Sequence, residues 1–155
     1  HFKSLFYFGP MKGKGGQKAV DYINMLGKKE YEKYFSFAIV RNPFERLASW
    51  YLYDNFGLDS FESWIKYFFE EINISQMDHL LDDKGKIAVK YIGRFENLQN
   101  EFDIIADKIG IERIILPHKK KYLGKKNYKD FYSKELRLFV EKKLEKEIKF
   151  LNYKF

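Results

Sequence analysis

The stretch from Phe35 to Tyr53, FSFAIVRNPFERLASWYLY, constrains the fold of this chain more than any other. It opens on Phe35-Ser36-Phe37-Ala38-Ile39-Val40, an apolar run with no alternation of polar residues. Such a run, rich in β-branched and aromatic side chains, suits a strand covered on both faces. Arg41 ends it, where a charge can leave the sheet at its carboxyl edge. Asn42 is a good N-cap, and Pro43 at the first helical position loses no needed N–H. The pattern predicts a helix over 43–53, with Leu47, Trp50 and Tyr51 available to face the sheet.

Strand, arginine, cap and helix together make a recipe for holding an anion. A helix start offers N–H groups and a partial positive charge. Arg41 adds a planar fork able to grip two phosphate oxygens. Ser49 brings a hydroxyl, with Arg46 one turn before it. The plain alternative is an ordinary strand–helix turn whose arginines pair with surface carboxylates.

The order Arg-Asn-Pro-Phe-Glu-Arg-Leu-Ala-Ser-Trp-Tyr, from Arg41 to Tyr51, resembles a segment of the sulfotransferases that use 3′-phosphoadenosine 5′-phosphosulfate (PAPS). In that family the segment binds the 3′-phosphate, and the likeness is to the branch that sulfates carbohydrates. The resemblance implies that Arg41 and Ser49 bind the 3′-phosphate. Arg46 fits the pattern as either a ligand or a brace. A second match is Tyr91-Ile92-Gly93-Arg94-Phe95-Glu96-Asn97-Leu98, a strand end before a helix that closes at Ile109-Gly110-Ile111. Glu96, at the end of that strand, is either a partner of Arg41 or Arg46 that steadies the fork from behind, or an unrelated charge on a surface strand–helix turn.

Charge narrows the class of partner. Twenty-nine Lys and Arg against 22 Asp and Glu give a net charge of +7. That balance favours a nucleotide, a nucleic acid, an acidic glycan or a membrane surface. The absence of cysteine excludes disulfides and thiol chemistry. No apolar run approaches a membrane span and no signal peptide is visible, so the location is read as cytoplasmic or left open. A length of 155 residues supports one domain with its own core.

Elsewhere the chain reads as follows. Leu5 to Phe8 forms a candidate strand, ended by Gly9 and Pro10. Lys12-Gly13-Lys14-Gly15-Gly16 is a basic loop without P-loop spacing, read as a surface loop. A short helix over 17–26 stops at Gly27. Phe61, Trp64, Ile65, Phe68, Phe69 and Ile72 keep helical spacing and read as core. The segment 73–86 is irregular; its His79 has acidic neighbours whose spacing matches no metal motif, and no metal is expected. A strand over 88–95 leads into a helix over 98–109, with Leu98, Phe102, Ile105 and Ile109 on its apolar face. Residues 114–117 read as a short edge strand. Ser133 caps a final helix bearing Leu136, Phe139, Val140, Leu144, Ile148 and Leu151.

Between these last elements lies a basic loop, His118 to Lys129, interleaved with Tyr122 and Tyr128. It is either a solvated loop or a phosphate-facing one. The resemblance implies the second, with Lys125 and Lys126 reaching the nucleotide. The family's Lys-x-Gly-Thr-Ser/Thr loop for the 5′-phosphosulfate, and the strand before it, have no match here. The family also carries a His ahead of the first helix; here His1 is the early histidine and the candidate general base. By this reading the chain is an incomplete fragment that does not turn over alone.

The expectation is thus a single α/β domain over 1–155, with a mainly parallel sheet, helices on both faces and a likeness to P-loop nucleotide kinases. Its expected activity is transfer of a sulfuryl group from PAPS, without a metal, to a hydroxyl of a carbohydrate or similar acceptor. The alternatives are a basic nucleic-acid-binding module, the less favoured partner class, and a sulfotransferase-like scaffold without activity.

Overall fold

A computed structural model describes residues 4–5, 17–53, 57–71, 75–117 and 127–155. It is α/β, and the chain divides into two compact units: His1–Val40 with Gln76–Leu116, and Arg41–Ser75 with Pro117–Phe155.

The first unit holds a small parallel sheet. β2 (Phe35–Val40) is central, flanked by the two-residue β1 (Ser4–Leu5) and by β3 (Tyr91–Arg94). A parallel strand therefore stands ahead of β2 in the chain; of the stretch 5–8 read as a strand, only Leu5 is among the described residues. Ser36, Phe37, Ala38 and Val40 are buried, as an unalternating run requires. The register pairs Phe37 with Tyr91 and Val40 with Arg94. β3 is shorter than the expected 88–95, because Ala88 N donates to Leu80 O at 2.8 Å instead of joining the ladder.

Helices α1 (Ala19–Leu26), α2 (Lys28–Tyr31), α5 (Met77–Leu80) and α6 (Leu98–Ile109) complete this unit. Asp21 Oδ2 accepts from Lys18 N at 2.7 Å at the start of α1. Gly27 and Gly110, with φ of 78° and 72°, end α1 and α6 in a conformation that costs other residues more. The expected edge strand at 114–117 does not form. Gln99 takes its place as a backbone mimic: Nε2 donates to Ile114 O at 2.9 Å and Oε1 accepts from Leu116 N at 2.8 Å. Two of the segment's peptide groups are thus met by one side chain instead of a ladder, and Ile115 stands 92% exposed.

Two features here give tests. A Cβ on Gly93 would lie 2.8 Å from Ile39 Cδ1 and 3.0 Å from Glu101 Oε2. Gly93→Ala should therefore cost about 1–3 kcal/mol through overpacking, and an unchanged denaturant midpoint would refute the close approach. Tyr91 donates its hydroxyl to Glu101 Oε2. Burial, the hydrogen bond and the carboxylate charge push its pKa up from 10.0 to about 12. A raised folded-state pKa means the folded protein holds the proton more tightly. The stability gained is complete below the ordinary 10.0 and fades as pH rises through about 12. The stability difference between the wild type and Tyr91→Phe should stay flat below that window and shrink across it; a flat difference throughout would rule this out.

The second unit is helical: α3 (Pro43–Tyr53), α4 (Phe61–Glu71), α7 (Lys134–Lys143) and α8 (Glu145–Leu151). Ser60 Oγ accepts from Ser63 N at 3.1 Å and Ser133 Oγ from Leu136 N at 3.1 Å, so both serines cap the helices that follow them. The expected final helix is two helices, with Leu144 at φ −108° between them. The core combines Phe44, Leu47 and Ala48 of α3, Phe61, Trp64, Ile65 and Phe68 of α4, and Leu136, Val140 and Leu144. Trp64 and Phe68 stack with centroids 4.0 Å apart. The aromatic stripe of α4 is thus core. Among the described residues no helix is long and apolar enough to cross a membrane.

Candidate functional site

Arg41 follows the last residue of β2, and α3 begins two residues later at Pro43. Asn42 organises this turn. Its Oδ1 accepts from Phe44 N at 3.0 Å and from Glu45 N at 3.4 Å. Its carbonyl accepts from Arg46 N at 2.9 Å, and Pro43 has no N–H to offer. The first-turn N–H groups are therefore engaged inside the helix. This corrects the expectation that they stand open to an anion: the Asn42 cap that starts the helix also occupies them. An anion here would be met by the helix dipole and by side chains.

Asn42, Glu45, Arg46 and Ser49 lie at i, i+3, i+4 and i+7, a polar stripe on the side of α3 away from Phe44, Leu47 and Ala48, with Arg46 buried like them. Arg41 Nη2 donates to Glu45 Oε1 at 2.8 Å, with side chains 20% and 28% exposed. That carboxylate orients the guanidinium, a planar group of five N–H donors. Ser49 is half-buried on the same stripe.

Arg46 differs from Arg41. It is 5% exposed. Its Nη2 donates to Glu147 Oε1 at 3.4 Å, and its guanidinium lies 4.6 Å from the centre of the Trp50 ring. Glu147, on α8, is 1% exposed, and its other oxygen accepts from Ser75 Oγ at 3.1 Å. Glu45 thus pairs with Arg41, and Glu147 with Arg46. Glu96 is an exposed residue of a 3-10 turn, Phe95–Asn97, in the first unit.

Glu147 was missed by sequence reasoning, yet a signal for it exists. It sits three residues after Leu144 and four before Leu151, on the face of α8 that is buried. A carboxylate at such a position needs a cation.

Further ties steady the turn. Asn42 Nδ2 donates to Lys154 O at 2.9 Å. The Tyr132 hydroxyl donates to Phe44 O at 2.8 Å, and burial pushes the pKa of that phenol up. Phe44 meets Phe155 edge-to-face at 5.0 Å.

Three expected site residues, His1, Lys125 and Lys126, lie outside the described residues, as do Lys12 to Gly16. His79 is buried in α5 of the first unit. Among the described residues no three His, Asp or Glu side chains gather as a metal site would require.

No solved structure matches the chain. A curated relative, an uncharacterised protein of Archaeoglobus fulgidus, is 34% identical over 95 residues, covering 57% of this chain and 78% of that protein. The model of the sulfotransferase family matches residues 17–154, a span that takes in Arg41, Arg46, Ser49, Glu96 and Glu147. The chain that carries this arginine-and-asparagine turn belongs to the sulfotransferase family.

Proposed function

We propose that this chain binds PAPS by its 3′-phosphate and takes part in transferring the sulfuryl group to a hydroxyl, with a carbohydrate as acceptor. The observation that carries the reading is the turn from Arg41 to Ser49. A half-buried arginine, oriented by Glu45, stands at the positive end of an eleven-residue helix that also presents Ser49. Family membership supports a nucleotide donor and an acceptor substrate.

In the proposed reaction the acceptor oxygen attacks sulfur and forms an O–S bond. The bond from sulfur to the 5′-phosphate oxygen breaks, and adenosine 3′,5′-bisphosphate leaves with that electron pair. The acceptor proton passes to a base, for which His1 remains the candidate. Arg41 and Ser49 fix one end of the donor, so their contribution is orientation. Lys125 and Lys126 are proposed to add positive charge near the nucleotide, and Glu96 to act behind the arginines.

Calorimetric titration with adenosine 3′,5′-bisphosphate and with AMP tests this, since only the first has a 3′-phosphate. The bisphosphate should bind more tightly. Ser49→Ala should weaken it about fivefold, the worth of one hydrogen bond of roughly 1 kcal/mol. Equal affinity for the two nucleotides would overturn the reading. Preference for long polynucleotides with a steep loss in salt would favour the nucleic-acid alternative instead.

A further inference from the structure

The family motif carries two arginines, and the geometry treats them differently. Arg41 is oriented by a half-exposed carboxylate, whereas Arg46 is 5% exposed and tied to a glutamate that is 1% exposed. We infer that Glu147 is a positioning residue that takes Arg46 out of phosphate recognition and makes it a brace for α3, leaving Arg41 as the motif arginine that reads the 3′-phosphate. This rests on the phosphate reading above and adds to it the division of labour and the residue that sets it.

Three observations support the inference independently of one another. The charge of Arg46 is balanced where it lies, because Glu147 Oε1 accepts from it at 3.4 Å. That carboxylate is itself fixed, since Ser75 Oγ donates to its second oxygen at 3.1 Å. The guanidinium face is covered by Trp50 at 4.6 Å. For Arg46 to grip a phosphate it would have to abandon a buried carboxylate, and breaking a buried pair from one side is unfavourable. The brace also acts at a useful place. Arg46 N is bonded to the Asn42 carbonyl at 2.9 Å, so fixing the Arg46 side chain fixes the turn that follows Arg41.

The test exploits charge balance. Exchanging both partners for apolar residues, Arg46→Met with Glu147→Leu, removes one positive and one negative charge and leaves the local sum unchanged. Buried pairs often tolerate such exchange, whereas removal of one partner alone is costly. Affinities for adenosine 3′,5′-bisphosphate and AMP are measured on the wild type, this double variant and Arg41→Ala. The preference for the bisphosphate should survive in the double variant within about threefold and collapse in Arg41→Ala. A brace that merely supports the fold would not move this ratio; a phosphate ligand would. If the wild type keeps the preference and a folded double variant loses it, the inference alone is overturned. If the wild type shows no preference, the phosphate reading falls and takes the inference with it.

Arginine side-chain NMR on the wild type serves should the double variant not fold. Adding the bisphosphate should shift the Nε–H signal of Arg41 and leave that of Arg46 in place. A shift of Arg46 equal to that of Arg41 would overturn the division of labour.

Discussion

Arg41→Ala should lower the affinity for adenosine 3′,5′-bisphosphate by about 30-fold to 1000-fold, while affinity for AMP falls far less. The motive is the place of Arg41 after the last residue of β2 and before the capped start of α3. Because Asn42 already occupies the first-turn N–H groups, the helix cannot compensate with backbone donors. The loss of a planar fork that meets a doubly charged phosphate costs on the order of 2–4 kcal/mol. Arg41→Lys should recover only part of it, since an ammonium keeps the charge and loses the two-pronged geometry. The pairing with Glu45 at 2.8 Å adds a second expectation. Glu45 orients that guanidinium, so Glu45→Gln should also weaken the bisphosphate, though by less than Arg41→Ala. Calorimetry on these variants decides the matter; equal bisphosphate affinity in Arg41→Ala and the wild type would end the proposed role of Arg41.

Several elements of both units were legible in sequence because their signals are local. Phe35–Val40 and Pro43–Tyr53 follow from an apolar run, a cap and a proline, and both elements have the bounds expected of them. Phe61, Trp64, Ile65 and Phe68 keep helical spacing and are buried. What escaped was set by partners distant in sequence. Ile114 to Leu116 has the composition of a strand, but the Gln99 side chain, from another element, takes the Ile114 carbonyl and the Leu116 N–H. Leu144 keeps the hydrophobic period while its backbone leaves helical angles, so periodicity joined two helices into one.

The site shows the same divide. The turn from Arg41 to Glu45 follows from order alone, because a cap and an i,i+4 pair need only neighbours. The partner of Arg46 lies 101 residues away in the chain. The buried carboxylate on Arg46 is Glu147, a residue that no motif singled out. A charged residue on the apolar stripe of α8 was the one hint, and its significance depends on a cation that only the fold brings to it.

Glu147→Ala should destabilise the protein by about 3–5 kcal/mol, the range for breaking a buried ion pair from one side. The expected loss is large because of what it leaves behind. Arg46 is 6% exposed along its side chain and would hold its charge with no carboxylate facing it from α8. Ser75 would lose the oxygen to which it donates at 3.1 Å. Domains of ordinary size have a total stability of about 5–15 kcal/mol, so this single change removes a substantial fraction of it. Arg46→Ala should be similarly costly, since it strands Glu147 at 1% exposure and also uncovers Trp50. Arg46→Met with Glu147→Leu should cost far less than the sum of the two single changes, because neither charge is then left alone. A denaturant-melt cycle over these four proteins measures the coupling directly. Single variants that each cost under about 1 kcal/mol, with additive effects, would mean that the pair contributes little and that α3 is held by its apolar face alone.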